Sequence, residues 1–133
     1  SFTEAYDERR EISSEMNYLD ERAQKGKIPR RQYKVQRRSL EVRVDSLTRN
    51  INEMKEVFRN SGSGYADLIK QLDSAEADWT EADKSIKNLD AKQNSGEISI
   101  EEYKKNIGDY KRRKEKADSS ISGILLRLRE KMR

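Results

Sequence analysis

Nine lysines and arginines crowd into residues 22–43 against a single acid. They are Arg22, Lys25, Lys27, Arg30, Arg31, Lys34, Arg37, Arg38 and Arg43, and the acid is Glu41. Cations at this density hold phosphates, whether on nucleic acid or on an anionic membrane surface. The candidate anion- or partner-binding residues are Lys25, Lys27, Arg30, Arg31, Lys34, Arg37 and Arg38. The competing reading is a solvated helix face whose charges pair within the chain. Residues 67–83 supply acids for such pairing, with Asp67, Asp73, Glu76, Asp78, Glu81 and Asp83 against Lys70.

Other chemistry finds little material. The chain has no cysteine and no histidine. Disulfides, Cys/His zinc sites and histidine acid–base schemes are therefore excluded. Carboxylate-bridged di-iron bundles need Glu-x-x-His pairs and are excluded too. Glu101 and Glu102 are explained by helix capping rather than by acid catalysis. The glycines near residues 62–64 lack the lysine and the preceding strand of a phosphate loop. A second basic run, Lys111 to Lys114 with Lys116, resembles a localisation patch, a pattern common on charged helices. The end from Ile124 to Arg133 is apolar and basic, open to a membrane-surface reading, but Ile124 and Leu128 fit a helical core better. Tyr18, Tyr33, Tyr103 and Tyr110 do not interleave on a basic face and read as packing or turn residues; Trp79 reads as a packing residue. No enzyme activity, cofactor, metal or small-molecule substrate is expected.

The elements that position these residues repeat. Leu19, Asp20, Gly26, Ile28, Tyr33, Arg43, Ile51 and Met54 recur 70 residues later as Leu89, Asp90, Gly96, Ile98, Tyr103, Arg113, Ile121 and Ile124. That period is a whole number of heptads, so both copies share one helical phase, as in a repeated helical hairpin. Within each copy the apolar residues step alternately by three and four. The first segment carries Phe2, Ala5, Arg9, Ile12, Met16, Leu19 and Ala23; the second Tyr33, Arg37, Leu40, Val44, Leu47, Ile51, Met54 and Phe58. The third carries Leu68, Leu72, Ala75, Trp79, Ala82, Ile86, Leu89 and Gln93; the fourth Tyr103, Ile107, Tyr110, Lys114, Ala117, Ile121, Ile124 and Leu128. Such steps are the left-handed coiled-coil period, and no strand-like alternation competes with them. Tyr6, Val57, Ile69 and Leu125 lie beside the stripes and are expected to widen them, whereas Val35, Val42 and Leu126 point away.

The turns are sharply specified. Gly26 and Gly96 suit the left-handed residue that ends a helix. Ser99 with Glu102 reads as a capping box, Ile98 with Tyr103 as a hydrophobic staple, and Pro29 falls near a first helical position. Turns this tight fold helices back antiparallel. Arg9 then falls opposite Leu47, Arg37 opposite Leu19 and Lys114 opposite Ala82, and such seam charges fix register at some cost. The expected organisation is a helical hairpin over residues 1–59 with its turn near 26–28. A flexible Ser-Gly break at 60–64 separates it from a second hairpin over 65–133 with its turn near 96–98. The fold class is all-α: tandem antiparallel helical hairpins, closing into an elongated four-helix bundle or pairing as an extended dimer.

Charged residues make up 41% of the chain and hydrophobic ones 32%, the balance of narrow apolar stripes on long charged helices. The expected function is a non-enzymatic coiled-coil scaffold, a protein–protein interaction module that binds a protein partner or itself. The alternative is a polyanion-binding module using the basic tip of the first hairpin. Starting at Ser1 and stopping within a heptad pattern, the chain is expected to be a fragment of a larger protein. With no signal peptide and no apolar run of membrane-spanning length, the cytoplasm is the expected compartment, as a free protein or as the soluble part of an anchored one.

Overall fold

Alternating three- and four-residue steps give each segment one apolar stripe, and the described residues form four long helices. The computed structural model describes residues 1–62 and 64–133. The helices are α1 (Phe2–Gln24), α2 (Arg30–Arg59), α3 (Tyr65–Asn94) and α4 (Ile100–Lys131). Helix α1 packs on α2 and α3 packs on α4. The chain divides into two compact units, Ser1–Ser61 and Gly62–Arg133. Ser63, in the expected break at 60–64, lies outside the described residues. Among the described residues no helix is long and apolar enough to cross a membrane.

Both hairpins are antiparallel, because the partner's number falls as the residue's number rises. In the first, Phe58 stacks on Phe2 with ring centroids 5.4 Å apart, Arg43 reaches Glu8 at 2.9 Å, and Tyr33 reaches Asp20. In the second, the Tyr65 hydroxyl donates to the Lys131 carbonyl at 3.1 Å, Lys114 meets Asp83, and Tyr103 meets Asp90.

The turns close as the glycines require. At the end of α1 the Gly26 amide donates to the Ala23 carbonyl (3.1 Å) and the Lys27 amide to Arg22 (2.9 Å). At the end of α3 the Gly96 amide donates to Gln93 (3.1 Å) and the Glu97 amide to Lys92 (2.9 Å). This is the Schellman pattern, with Gly26 at φ +68° and Gly96 at φ +81°. The next helices start differently. Pro29 caps α2 without a side-chain hydrogen bond, whereas the Ser99 hydroxyl accepts from the Glu102 amide at 3.1 Å. Of the expected capping box, this Ser99 half is made. A full box stands at α1, where Ser1 and Glu4 exchange both bonds.

Every expected seam position is buried or half-buried, and burial is most complete far from the turns. In the first hairpin Phe2, Tyr6, Ile12 and Ile51 are buried; in the second Ile69, Leu72, Ala75, Ile121, Ile124, Leu125 and Leu128. Tyr6, Ile69 and Leu125 widen the stripes as expected. Val57 does not: it is 65% exposed, and Lys55 is buried in its stead. The helical period explains the exchange. Lys55 lies one turn beyond Ile51 and falls inside the seam, while Val57, one residue before Phe58, is rotated ~100° out of it. Val35, Val42 and Leu126 are exposed, as their phase requires.

Ile51 has no exposed surface, so Ile51→Ala should destabilise the first hairpin by about 2–4 kcal/mol. Nothing lies within 4 Å of a Cβ added at Gly96, so the cost of Gly96→Val is chiefly conformational. It should be about 1–2 kcal/mol for left-handed backbone carrying a side chain. Urea unfolding followed by circular dichroism measures both, and an unchanged midpoint for either variant would place the seam or the turn elsewhere.

Candidate functional site

The tip of the first hairpin is built from the end of α1, the turn and the first turns of α2. Lys25 stands just beyond α1, Lys27 follows the left-handed glycine, and Arg30, Arg31 and Lys34 open α2. All five side chains are exposed, and among the described residues none lies within ion-pairing distance of a carboxylate. The other two candidates behave differently. Arg37 is half-buried between Asp20 (3.1 Å) and Glu41 (3.2 Å). Arg38 is exposed and loosely paired with Glu41 at 3.7 Å. The structure therefore gathers Lys25, Lys27, Arg30, Arg31 and Lys34 into one unpaired cluster and assigns Arg37 to the seam.

Asp20 organises the inner side of this tip. It accepts from the Tyr33 hydroxyl at 2.7 Å and from the Arg37 guanidinium. The hydrogen bond to Asp20, helped by desolvation, raises the Tyr33 pKa above its ordinary value. The second tip repeats the device, with the Tyr103 hydroxyl donating to Asp90 at 2.7 Å and its pKa raised for the same reason. Sequence reasoning placed these tyrosines at the turns but missed their acceptors. The signal was present, since Asp20, Tyr33, Asp90 and Tyr103 all belong to the 70-residue repeat.

The tips differ in charge. Where the first has Lys25, Lys27, Arg30, Arg31 and Gln32, the second has Ser95, Glu97, Ile100, Glu101 and Glu102. Acids in the first turn of α4 suit the positive end of the helix dipole; α2 has none there.

The second basic run is largely engaged. Arg112 and Arg113 reach Asp109 at 3.8 and 2.9 Å, leaving Lys111 and Lys116 exposed. The Lys114 ammonium binds Asp83 at 2.9 Å and lies 4.8 Å from the Trp79 ring centre. Asp83 is buried and also holds Lys87 at 2.9 Å. Burial pushes its carboxyl pKa up, but the hydrogen bonds from Lys114 and Lys87 outweigh this and leave it lowered. The charged seam positions thus find partners beside the residues they face: Lys114 takes Asp83 next to Ala82, Arg37 takes Asp20 next to Leu19, and Arg9 donates to Thr48 next to Leu47. At the C-terminal end Ile124, Leu125 and Leu128 are core residues, which removes them from any membrane face. Shallow open grooves run along α3 and α4, lined by Asp78, Ser85, Tyr110, Lys116 and Ser120 among others. Among the described residues no group of three acidic side chains is placed to hold a metal ion.

No protein-family model matches the chain, and comparison with curated proteins finds no match.

Because the folded pKa of Asp83 lies below its unfolded value, its pairing stabilises the second hairpin above about pH 4. That contribution is lost as pH falls through the lowered folded value. Asp83→Asn should cost about 1 kcal/mol at neutral pH and flatten the acid side of a stability–pH curve. The tyrosines titrate in the opposite sense. Their raised values stabilise the fold below about pH 10 and cease to do so as pH rises through the folded pKa. Tyr103→Phe should therefore remove part of the alkaline destabilisation, read from urea midpoints taken against pH.

Proposed function

We propose that this chain is a non-enzymatic coiled-coil scaffold, a protein–protein interaction module whose first partner is a second copy of itself. One observation carries the reading. On the outer face of α2, away from the seam, Val35, Arg38, Val42, Asp45 and Arg49 follow one another in steps of three and four, and all are exposed. Val35 is 66% and Val42 50% exposed, one heptad apart. The spacing is that of a second coiled-coil stripe, with Val35 and Val42 alternating with Arg38 and Asp45 before the stripe ends on Arg49, in a helix whose first stripe already faces α1.

The charges say what covers it. Asp45 has no partner among the described residues, and Arg38 has only its loose contact with Glu41. An antiparallel two-fold pairing centred near Val42 sets Val42 against its own copy and brings Arg38 beside Asp45 of the second chain, twice over. Such an isologous contact is self-complementary in charge, and it sets Val35 beside Arg49 of the second chain at either end. The exposed serines Ser39 and Ser46 flank the stripe and let two helices approach closely.

Light scattering behind a sizing column, across a range of concentrations, tests the reading. A mass that rises with concentration to twice 15.6 kDa supports it. Val42→Glu should then leave helical circular dichroism unchanged and give a monomer. Arg38→Glu should also give a monomer, and Arg38→Glu with Asp45→Arg should restore the dimer. A parent that stays monomeric at every concentration, or a dimer indifferent to these changes, overturns self-association through this face.

A further inference from the structure

The geometry of the first tip points to a second activity: we propose that Lys25, Lys27, Arg30, Arg31 and Lys34 bind the sugar–phosphate backbone of double-stranded nucleic acid without reading its bases. The proposal does not depend on whether the chain pairs with itself.

The second tip serves as an internal control. It closes with the same left-handed glycine, the same backbone bonds and the same tyrosine–aspartate hydrogen bond, yet it carries Ser95, Glu97, Ile100 and Glu101 where the first carries four cations. The hairpin turn therefore has no need of those four cations, while the fifth, Lys34, recurs as Lys104. They work against the local structure as well. Arg30 and Arg31 oppose the helix dipole in the first turn of α2, and Arg30 repels Lys34 one turn on. Farther along α2 the pattern changes. Glu41 engages Arg37 and Arg38, Asp20 engages Arg37, and Glu8 engages Arg43. Five cations are left uncompensated in one place, at odds with the helix that carries them, and an array of negative charge would relieve the conflict.

The shape of the cluster selects the kind of array. It does not sit only on the end of the hairpin; Arg30 and the exposed Lys34, one helical turn apart, extend it by ~6 Å along one side of α2. A row along the helix axis follows a ridge of phosphates, whereas a membrane touched end-on would meet only the outermost charges within a Debye length of ~8 Å. Ile28, the apolar residue of the turn, is 8% exposed, so the tip offers no side chain for insertion into a bilayer. None of the five is aromatic, Tyr33 is turned to Asp20, and Tyr18, though exposed, lies back along α1 with Arg22 over its ring, so the cluster itself offers bases no stacking platform and single strands gain nothing over a duplex.

Fluorescence anisotropy of the full chain with a short labelled duplex of mixed sequence tests the proposal. With ~5 phosphates neutralised, log K should fall against log salt with a slope of about −4.5, roughly a 500-fold loss between about 50 and 200 mM salt. A tip-swap variant (Lys25→Ser, Lys27→Glu, Arg30→Ile, Arg31→Glu) installs the residues of the second tip, which this fold already accommodates. It should bind at least tenfold more weakly at low salt, with unchanged helical circular dichroism. A control variant, Lys104→Glu, Lys105→Glu and Lys111→Glu, shifts the net charge of +4 by the same six units at exposed sites on the second hairpin. It should keep most of the affinity. No binding by the parent at low salt overturns the proposal, and so does an equal loss in both variants, which would mean net charge alone. Tighter binding to a single strand than to the duplex overturns it too. Binding to phosphatidylserine vesicles without binding to the duplex would assign the tip to membranes instead.

Discussion

A two-helix hairpin has one stripe on each helix to bury, and any charge set into that stripe must be paired where it lies. Most of this structure follows from that constraint. Each helix is long and thinly apolar, so the seam includes Arg9, Arg37 and Lys114 as well as leucines and isoleucines. Each of these reaches past the residue it faces to a polar neighbour of that residue, so the stem packs while the head is satisfied. Trp79 and Tyr6 add aromatic faces beneath Lys114 and Arg9. The polar layers fix the register of each hairpin, because a shift by one heptad would separate every one of these pairs.

The turns impose the second constraint. A helix reversed within a few residues must turn through left-handed backbone, and the glycine that allows it recurs in both copies with the same backbone bonds. The tyrosine–aspartate bond then ties the new helix to the old one a short way into each hairpin. These elements are common to both copies. At Lys25, Lys27, Arg30 and Arg31 the copies differ without disturbing the turn, and the change falls on what the tip presents to solvent. A repeated architecture has kept its structural residues and let the surface of one tip diverge.

The scaffold reading and the phosphate reading draw on different parts of α2. The outer stripe around Val42 alternates apolar and charged positions of both signs, which suits another helix. The tip carries one sign only and no exposed apolar or aromatic residue among its five cations, which suits a polyanion. A scaffold that pairs along its length leaves its tip clear, so the two surfaces are compatible on one molecule.

The sequence alone was enough to determine the helices, the turns and the seams, because heptad spacing and left-handed glycines are local patterns that read directly off the chain. It also placed the basic tip and the outward valines. It misplaced Val57, because an apolar residue beside a stripe was taken to extend it; rotation about the helix axis turns that side chain outward and buries Lys55. Only the tertiary structure decided which charges are spent. Asp20 and Asp83 read as two acids among many until the fold set them against Tyr33, Arg37 and Lys114, and Arg37, which the sequence put both in the patch and in the seam, is held by Asp20 and Glu41. Pairing between charges depends on distances across the hairpin, which a one-dimensional charge count does not contain, and those distances separate five unpaired cations from a merely basic sequence.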